Sequence, residues 1–132
     1  MSVLTLDRDK WKQFKTDNNL SKSSFFKKAD VGPTIDKFQD SVVAFRKSKS
    51  QKDLMSCFKR AQDLQKAFAK FIGLKEAKDE LSAAAKQKIQ KWSGELDNVT
   101  TALAKVYDQH KEELQANDAK QLDKTFDQLF PF

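Results

Sequence analysis

The fold is decided by residues 81–114, which read LSAAAKQKIQKWSGELDNVTTALAKVYDQHKEEL. Apolar positions recur here every three or four residues, a spacing that lines one side of an α-helix. They form two interleaved series that include Ala85, Trp92, Val99 and Val106 in one and Ile89, Leu96, Leu103 and His110 in the other. We call this line of residues the seam. It predicts one long helix, over about residues 76–115, with a coiled-coil-like apolar face.

Two further amphipathic helices precede this one in the sequence. Residues 34–47 follow a predicted turn at Gly32-Pro33, with Thr34 as the N-cap of the helix. Residues 51–72 carry a second apolar stripe. We expect Gly73 to take the left-handed conformation that ends many helices.

The two ends of the chain have weaker patterns. A short helix is predicted over residues 118–130. Within the N-terminal segment, residues 1–30, a short helix is expected over 7–15 and one or two turns over 21–28. We therefore expect one helical-bundle domain over residues 31–132.

Glycine and proline together number five, too few for the turns of an all-β protein of this length. The fold class predicted is all-α, an antiparallel helical bundle of about four main helices. The long helix exceeds its partner at 51–72 in length. Either the short helices cover the rest of the seam, or part of the seam is exposed and binds a second copy or another protein. No signal peptide or membrane-spanning segment is recognisable, so we expect a cytoplasmic or virion-associated protein.

Residues suited to catalysis or metal binding are few. Cys57 and His110 are the single cysteine and the single histidine, and each lies in the apolar register of its helix. An intramolecular disulfide and a Cys₂His₂ zinc site are therefore excluded. The three glycines are isolated and form no phosphate-binding loop. We predict a protein that is not an enzyme, with no cofactor, no metal and no small-molecule substrate.

Charge is divided unevenly along the chain, whose net charge is +6. The excess of lysine and arginine lies in the first 75 residues, and part of it falls on one side of the helix at 51–72. We take as the candidate basic face Lys52, Lys59, Arg60, Lys66 and Lys70, together with Lys27 and Lys28. Such a face can bind nucleic-acid phosphates or an acidic protein. It can equally be an ordinary solvated helix surface.

The last residues, Phe130-Pro131-Phe132, combine an apolar pair with a proline at the end of the sequence. Such an element can dock into a small apolar pocket of a partner. The ending resembles the C-terminal tip of bacterial single-stranded DNA-binding proteins, and the resemblance covers about six residues. It implies a protein-docking role for these three residues. The alternative, which the helical pattern before them favours, is a tail packed against the bundle.

These observations favour an interaction or structural protein that acts through its helical surfaces. It would bind another protein or its own copies, as a small virion or accessory component does. The alternative is a nonspecific nucleic-acid-binding protein that uses the basic face. Arginine, the usual reader of guanine edges, is scarce, and this argues against base-specific recognition.

Overall fold

A computed structural model describes residues 3–18, 31–74, 79, 81–109 and 120–132 of the chain. It is an all-α protein in which helices pack against one another as a bundle, as the sequence predicts. The helices of the described ranges are α1 (Arg8–Asp17), α2 (Val31–Ser48), α3 (Gln51–Gly73), α4 (Ala83–Gln109) and α5 (Lys120–Leu129). Among them α3 packs against both α2 and α4, and α1 packs against α2.

The seam of α4 is buried inside this single chain. Seven of its residues are at most 4% exposed, namely Ala85, Ile89, Trp92, Leu96, Val99, Leu103 and Val106. They belong to one continuous core to which every described helix contributes. Over this part of the seam no exposed strip is left for a second copy. Helix α3 packs along α4, and Trp11 and Phe14 of α1 contact Trp92. His110, the next seam position, lies outside the described residues.

Helices α2 and α3 form a helical hairpin with a two-residue connection. Lys49 adopts a left-handed conformation, with φ of 55°, and its N–H donates to the carbonyl of Phe45 at 2.7 Å. Ser50 then caps α3, since its hydroxyl accepts a hydrogen bond from the N–H of Asp53. Deeper in the hairpin, the thiol of Cys57 donates to the carbonyl of Ser41 at 3.1 Å.

The N-terminal residues hold the C-terminal helix in place. The N–H groups of Val3 and Leu4 donate to the carbonyls of Gln128 and Leu129, at 2.8 and 2.9 Å. These carbonyls lie in the last turn of α5, where no intrahelical donor is available. Leu4 and the nearby Leu6 are both buried in the core. Residues 3–6 therefore close the bundle over α5.

Aromatic rings fill two parts of the core. In the first, ring centroids lie 5.3 to 6.2 Å apart, and its members are Trp11, Phe14, Phe68, Phe71 and Trp92. In the second they lie 4.8 to 6.1 Å apart, and its members are Phe38, Phe45, Phe126, Phe130 and Phe132. Most pairs meet edge to face or tilted, the arrangements that aromatic rings prefer. The phenylalanines of these two groups thus serve to pack the core.

Several predicted helix boundaries are wrong. Helix α2 begins at Val31, not at residue 34, and Pro33 lies in its first turn, where a missing N–H leaves no hydrogen bond unmade. The long helix begins at Ala83, not near residue 76, because the hydroxyl of Ser82 accepts a hydrogen bond from the N–H of Ala85 and caps it there.

The predicted left-handed glycine is also wrong. Gly73 is the last residue of α3, and no glycine in the described ranges has a positive φ. The following residue, Leu74, is extended and donates its N–H to the carbonyl of Phe71. Among the described residues the left-handed position is Lys49, between α2 and α3, where an L side chain costs roughly 1–2 kcal/mol. Residue type alone does not predict it.

We expect Leu96→Asp to unfold the protein. Leu96 is fully buried in the seam, so a carboxylate there loses its hydration with no partner in place. The loss in free energy of unfolding should be at least about 4 kcal/mol. Circular dichroism and thermal melts would measure it, with the exposed Thr101→Asp in the same helix as the control. A folded monomeric Leu96→Asp variant of an oligomeric wild type would show that the seam is shared between copies.

Glu95 is expected to anchor the N-terminal segment. Its Oε1 accepts hydrogen bonds from the N–H and the hydroxyl of Thr5, at 2.7 and 2.8 Å. Glu95→Ala should lower the free energy of unfolding in urea by about 1–2 kcal/mol and speed amide exchange at Thr5. Glu95→Gln keeps an acceptor oxygen and should restore most of the loss. If Glu95→Ala exchanges and unfolds like the wild type, the anchor contributes nothing.

Candidate functional site

The outer side of α3 carries a line of exposed lysines. Lys52, Lys59 and Lys66 are seven residues apart, and Lys70 follows one turn after Lys66, so all four lie on one side of the helix. The buried residues of α3, from Leu54 to Phe71, occupy the opposite side. At 1.5 Å per residue the line is about 27 Å long. We call these four residues the lysine stripe.

Two aspartates of α3 lie beside the lysine stripe, and one of them, Asp63, is on the same side of the helix between Lys59 and Lys66. Asp63 lies 3.8 Å from the guanidinium of Arg60, and Arg60 itself is half exposed. Asp53 accepts a hydrogen bond from the hydroxyl of Ser48 at the start of α3. Within the described part of the chain, no ion pair involves a lysine of the stripe. The positive charge of the stripe is therefore directed to solvent.

An apolar cleft lies next to the lysine stripe, between α3 and α4. It encloses about 170 Å³, and its lining residues are Leu54, Met55, Phe58, Leu103 and Ala104. Leu54 and Leu103 are buried and form its floor, while Met55 is 48% exposed at its edge. Few large apolar side chains in the described ranges are this open, and the others are Val3 and Val43.

The cleft and the lysine stripe share a border. Met55 lies three residues after Lys52 and four before Lys59, so it is the surface neighbour of both on α3. On the other border, exposed Asp108 follows Ala104 by one turn of α4. The cleft is therefore flanked by positive charge on α3 and by a carboxylate on α4.

The C-terminal tail packs on the bundle. Phe130 is 2% exposed, and Phe132 is half-buried and stacks on it with centroids 5.6 Å apart. Arg46 fastens this arrangement by donating to the carbonyl of Phe132 at 3.1 Å and by pairing with Asp127. Pro131 remains exposed. The structure thus has the packed tail, the alternative that the sequence favours over a free docking element.

Cys57 is fully buried, and its thiol donates a hydrogen bond to the carbonyl of Ser41. Burial raises the pKa of its thiol from the ordinary 9.0 to about 12. A thiolate nucleophile is therefore not formed there near neutral pH. In the described ranges, no group of three or more His, Cys, Asp or Glu side chains could hold a metal ion. None of the helices described is long and apolar enough to span a membrane.

A larger groove, of about 350 Å³, lies between α1 and the start of α2. Arg8 in its lining pairs with Asp40 at 2.5 Å and with Asp36 at 3.5 Å. The hydrogen bond with Asp40 is the main cause of a raised pKa of Arg8. The remaining cations that line the groove are Lys12 and Lys15.

The structure brings together only part of the site that the sequence predicts. Lys52, Lys59, Lys66 and Lys70 form one exposed line, with Arg60 beside it and turned to Asp63. Lys27 and Lys28 lie outside the described residues. Sequence reasoning missed the apolar cleft, although Met55 gave a signal, being an apolar residue outside the buried register of its helix.

Comparisons with protein-family models, with curated proteins and with solved structures found no match to this chain.

We expect Cys57 to resist alkylation in the folded protein. At pH 8 iodoacetamide should leave it unmodified, and in denaturing urea it should react at the rate of a free cysteine. Because the folded thiol keeps its proton to higher pH than the unfolded one, its effect on stability is constant below pH 9 and unfavourable as pH rises towards 12. Cys57→Ala should lack this alkaline loss. Rapid alkylation of the native protein would contradict a buried thiol.

Proposed function

We propose that this protein is a non-enzymatic interaction protein whose binding surface is the outer face of α3. The observation that carries the proposal is the lysine stripe, four exposed cations on one side of α3 that form no ion pair with another described residue. An acidic partner could pair with these lysines directly, because the lysines would not have to give up ion pairs within the protein before binding.

The partner we infer is an acidic protein. Surface lysines provide long-range attraction and orientation, and each contact with a carboxylate is worth roughly 0.2–1 kcal/mol. Four of them acting together would be enough to orient a partner along α3, while affinity would also require apolar contact. The exposed Met55 beside the stripe provides such contact.

The other predicted modes of association receive less support. Self-association along the α4 seam has no exposed apolar strip to use between Ala85 and Val106. Docking by the C-terminal tail would first require Phe130 and Phe132 to leave the aromatic core. Nucleic acid remains the alternative partner for the lysine stripe, because phosphates and carboxylates attract the same cations.

Reversal of the lysine stripe tests the proposal. One variant would carry four changes to Glu, at Lys52, Lys59, Lys66 and Lys70. We expect it to bind a fluorescein-labelled acidic peptide at least about tenfold more weakly than the wild type does. The peptide would be a helix of about 18 residues, built from Glu and Ala with one central Leu. Fluorescence anisotropy at about 50 and 200 mM salt would measure it, and binding should weaken at the higher salt.

The matched control reverses four exposed lysines elsewhere, namely Lys10, Lys37, Lys86 and Lys124. Both variants shift the net charge from +6 to −2, so they differ only in where the charge lies. Equal weakening by both would mean that net charge, not the α3 surface, attracts the peptide. Binding of a DNA duplex but not of the peptide would identify nucleic acid as the partner. The slope of the logarithm of the binding constant against the logarithm of the salt concentration would then give the number of phosphates contacted.

A further inference from the structure

We infer that the cleft between α3 and α4 receives one large apolar side chain of the acidic partner, at the point where the partner crosses Lys52 and Lys59. This inference rests on the proposed function and specifies the partner as a protein segment with an apolar anchor. The cleft is lined by Leu54, Met55, Phe58, Leu103 and Ala104.

The size of the cleft indicates what it can hold. At about 170 Å³ it is smaller than the roughly 300–1,000 Å³ of sites that enclose a small-molecule ligand. Its walls are carbon and sulfur from leucine, methionine, phenylalanine and alanine side chains. With no charged side chain in its lining to fix a polar ligand, it matches one aliphatic or aromatic side chain entering from outside.

The floor and the rim of the cleft differ in burial. Leu54 and Leu103 are at most 1% exposed and are held by the core on both sides. Met55 at the rim is nearly half exposed, and its unbranched thioether can adjust to differently shaped side chains. A preformed floor with an adaptable edge is the form in which an anchor residue of a helix or peptide binds.

Charge decides which occupant the cleft accepts. Lys52 and Lys59 flank Met55 on α3. The partner would therefore carry acidic residues before and after its apolar anchor, on the side of the segment that faces α3. Asp108, on the α4 side, repels the same acidic groups and would fix which side of the segment faces α3. A second copy of this chain would bring another lysine stripe to face the first, and nucleic acid, whose bases are aromatic, is separated from a protein segment by the response to an aliphatic anchor in the test below.

The test compares two acidic peptides that differ in one residue. The peptide with the central Leu should bind the wild type about tenfold tighter than its counterpart with Ala there, since burial of the extra carbons is favourable. Ala104→Leu fills the cleft and should remove this preference. Ala84→Leu makes the same change at an exposed position near the start of α4 and should keep it.

A spectroscopic measurement gives an independent reading. The chain has two methionines, so ¹³C-methyl labelling yields two resonances, and Met55→Leu assigns that of Met55. The Leu peptide should shift the Met55 signal, and the Ala peptide should leave it nearly unchanged. Equal affinity for both peptides, with no shift of the Met55 signal, would overturn the inference about the cleft. The proposed function would still stand if reversal of the lysine stripe weakened binding of both peptides. Failure of both peptides to bind would overturn both.

Discussion

Burial of the α4 seam within one chain is the constraint on which the rest of the structure depends. A helix of 27 residues with apolar side chains every three or four positions exposes far more apolar surface than one shorter helix can cover. Helix α3 covers part of it. The remainder is closed by elements that are too short to be stable alone, including α1 and the extended residues around Leu4 and Leu6. Their helical or extended form is therefore a consequence of packing.

Interactions at the two ends of the chain follow from the same need. Residues 3 and 4 donate hydrogen bonds to the last turn of α5, and Glu95 of α4 holds Thr5. Arg46 of α2 fixes the final residue, Phe132. Each contact joins segments that are distant in sequence, so each depends on the bundle being formed. The tail is thus bound by the core that it helps to complete, which is why its apolar residues are not free to act as a separate docking element.

Sequence periodicity was sufficient for the all-α fold and for the buried face of each helix, because a 3.6-residue repeat specifies one side directly. It was insufficient where a boundary depends on a single hydrogen bond. Ser82 and Ser50 each cap a helix, whereas Ser41 and Ser93 lie inside helices, and the pattern alone cannot distinguish them. Leu4 and Leu6 were missed because two alternating leucines carry no helical signal, and their burial depends on α5. The lysine stripe was predicted from spacing, whereas the cleft required knowing how α3 and α4 meet.

The position of the candidate surface follows from the packing of α3. This helix contacts α2 on one side and α4 on the other, so only its outer side can accept charge without a desolvation cost. Lysines occupy that side, and the apolar cleft opens where the outer side turns towards α4. Met55, which is apolar and nearly half exposed, lies at this transition, so the proposed binding surface combines the charge of the lysine stripe with one apolar contact.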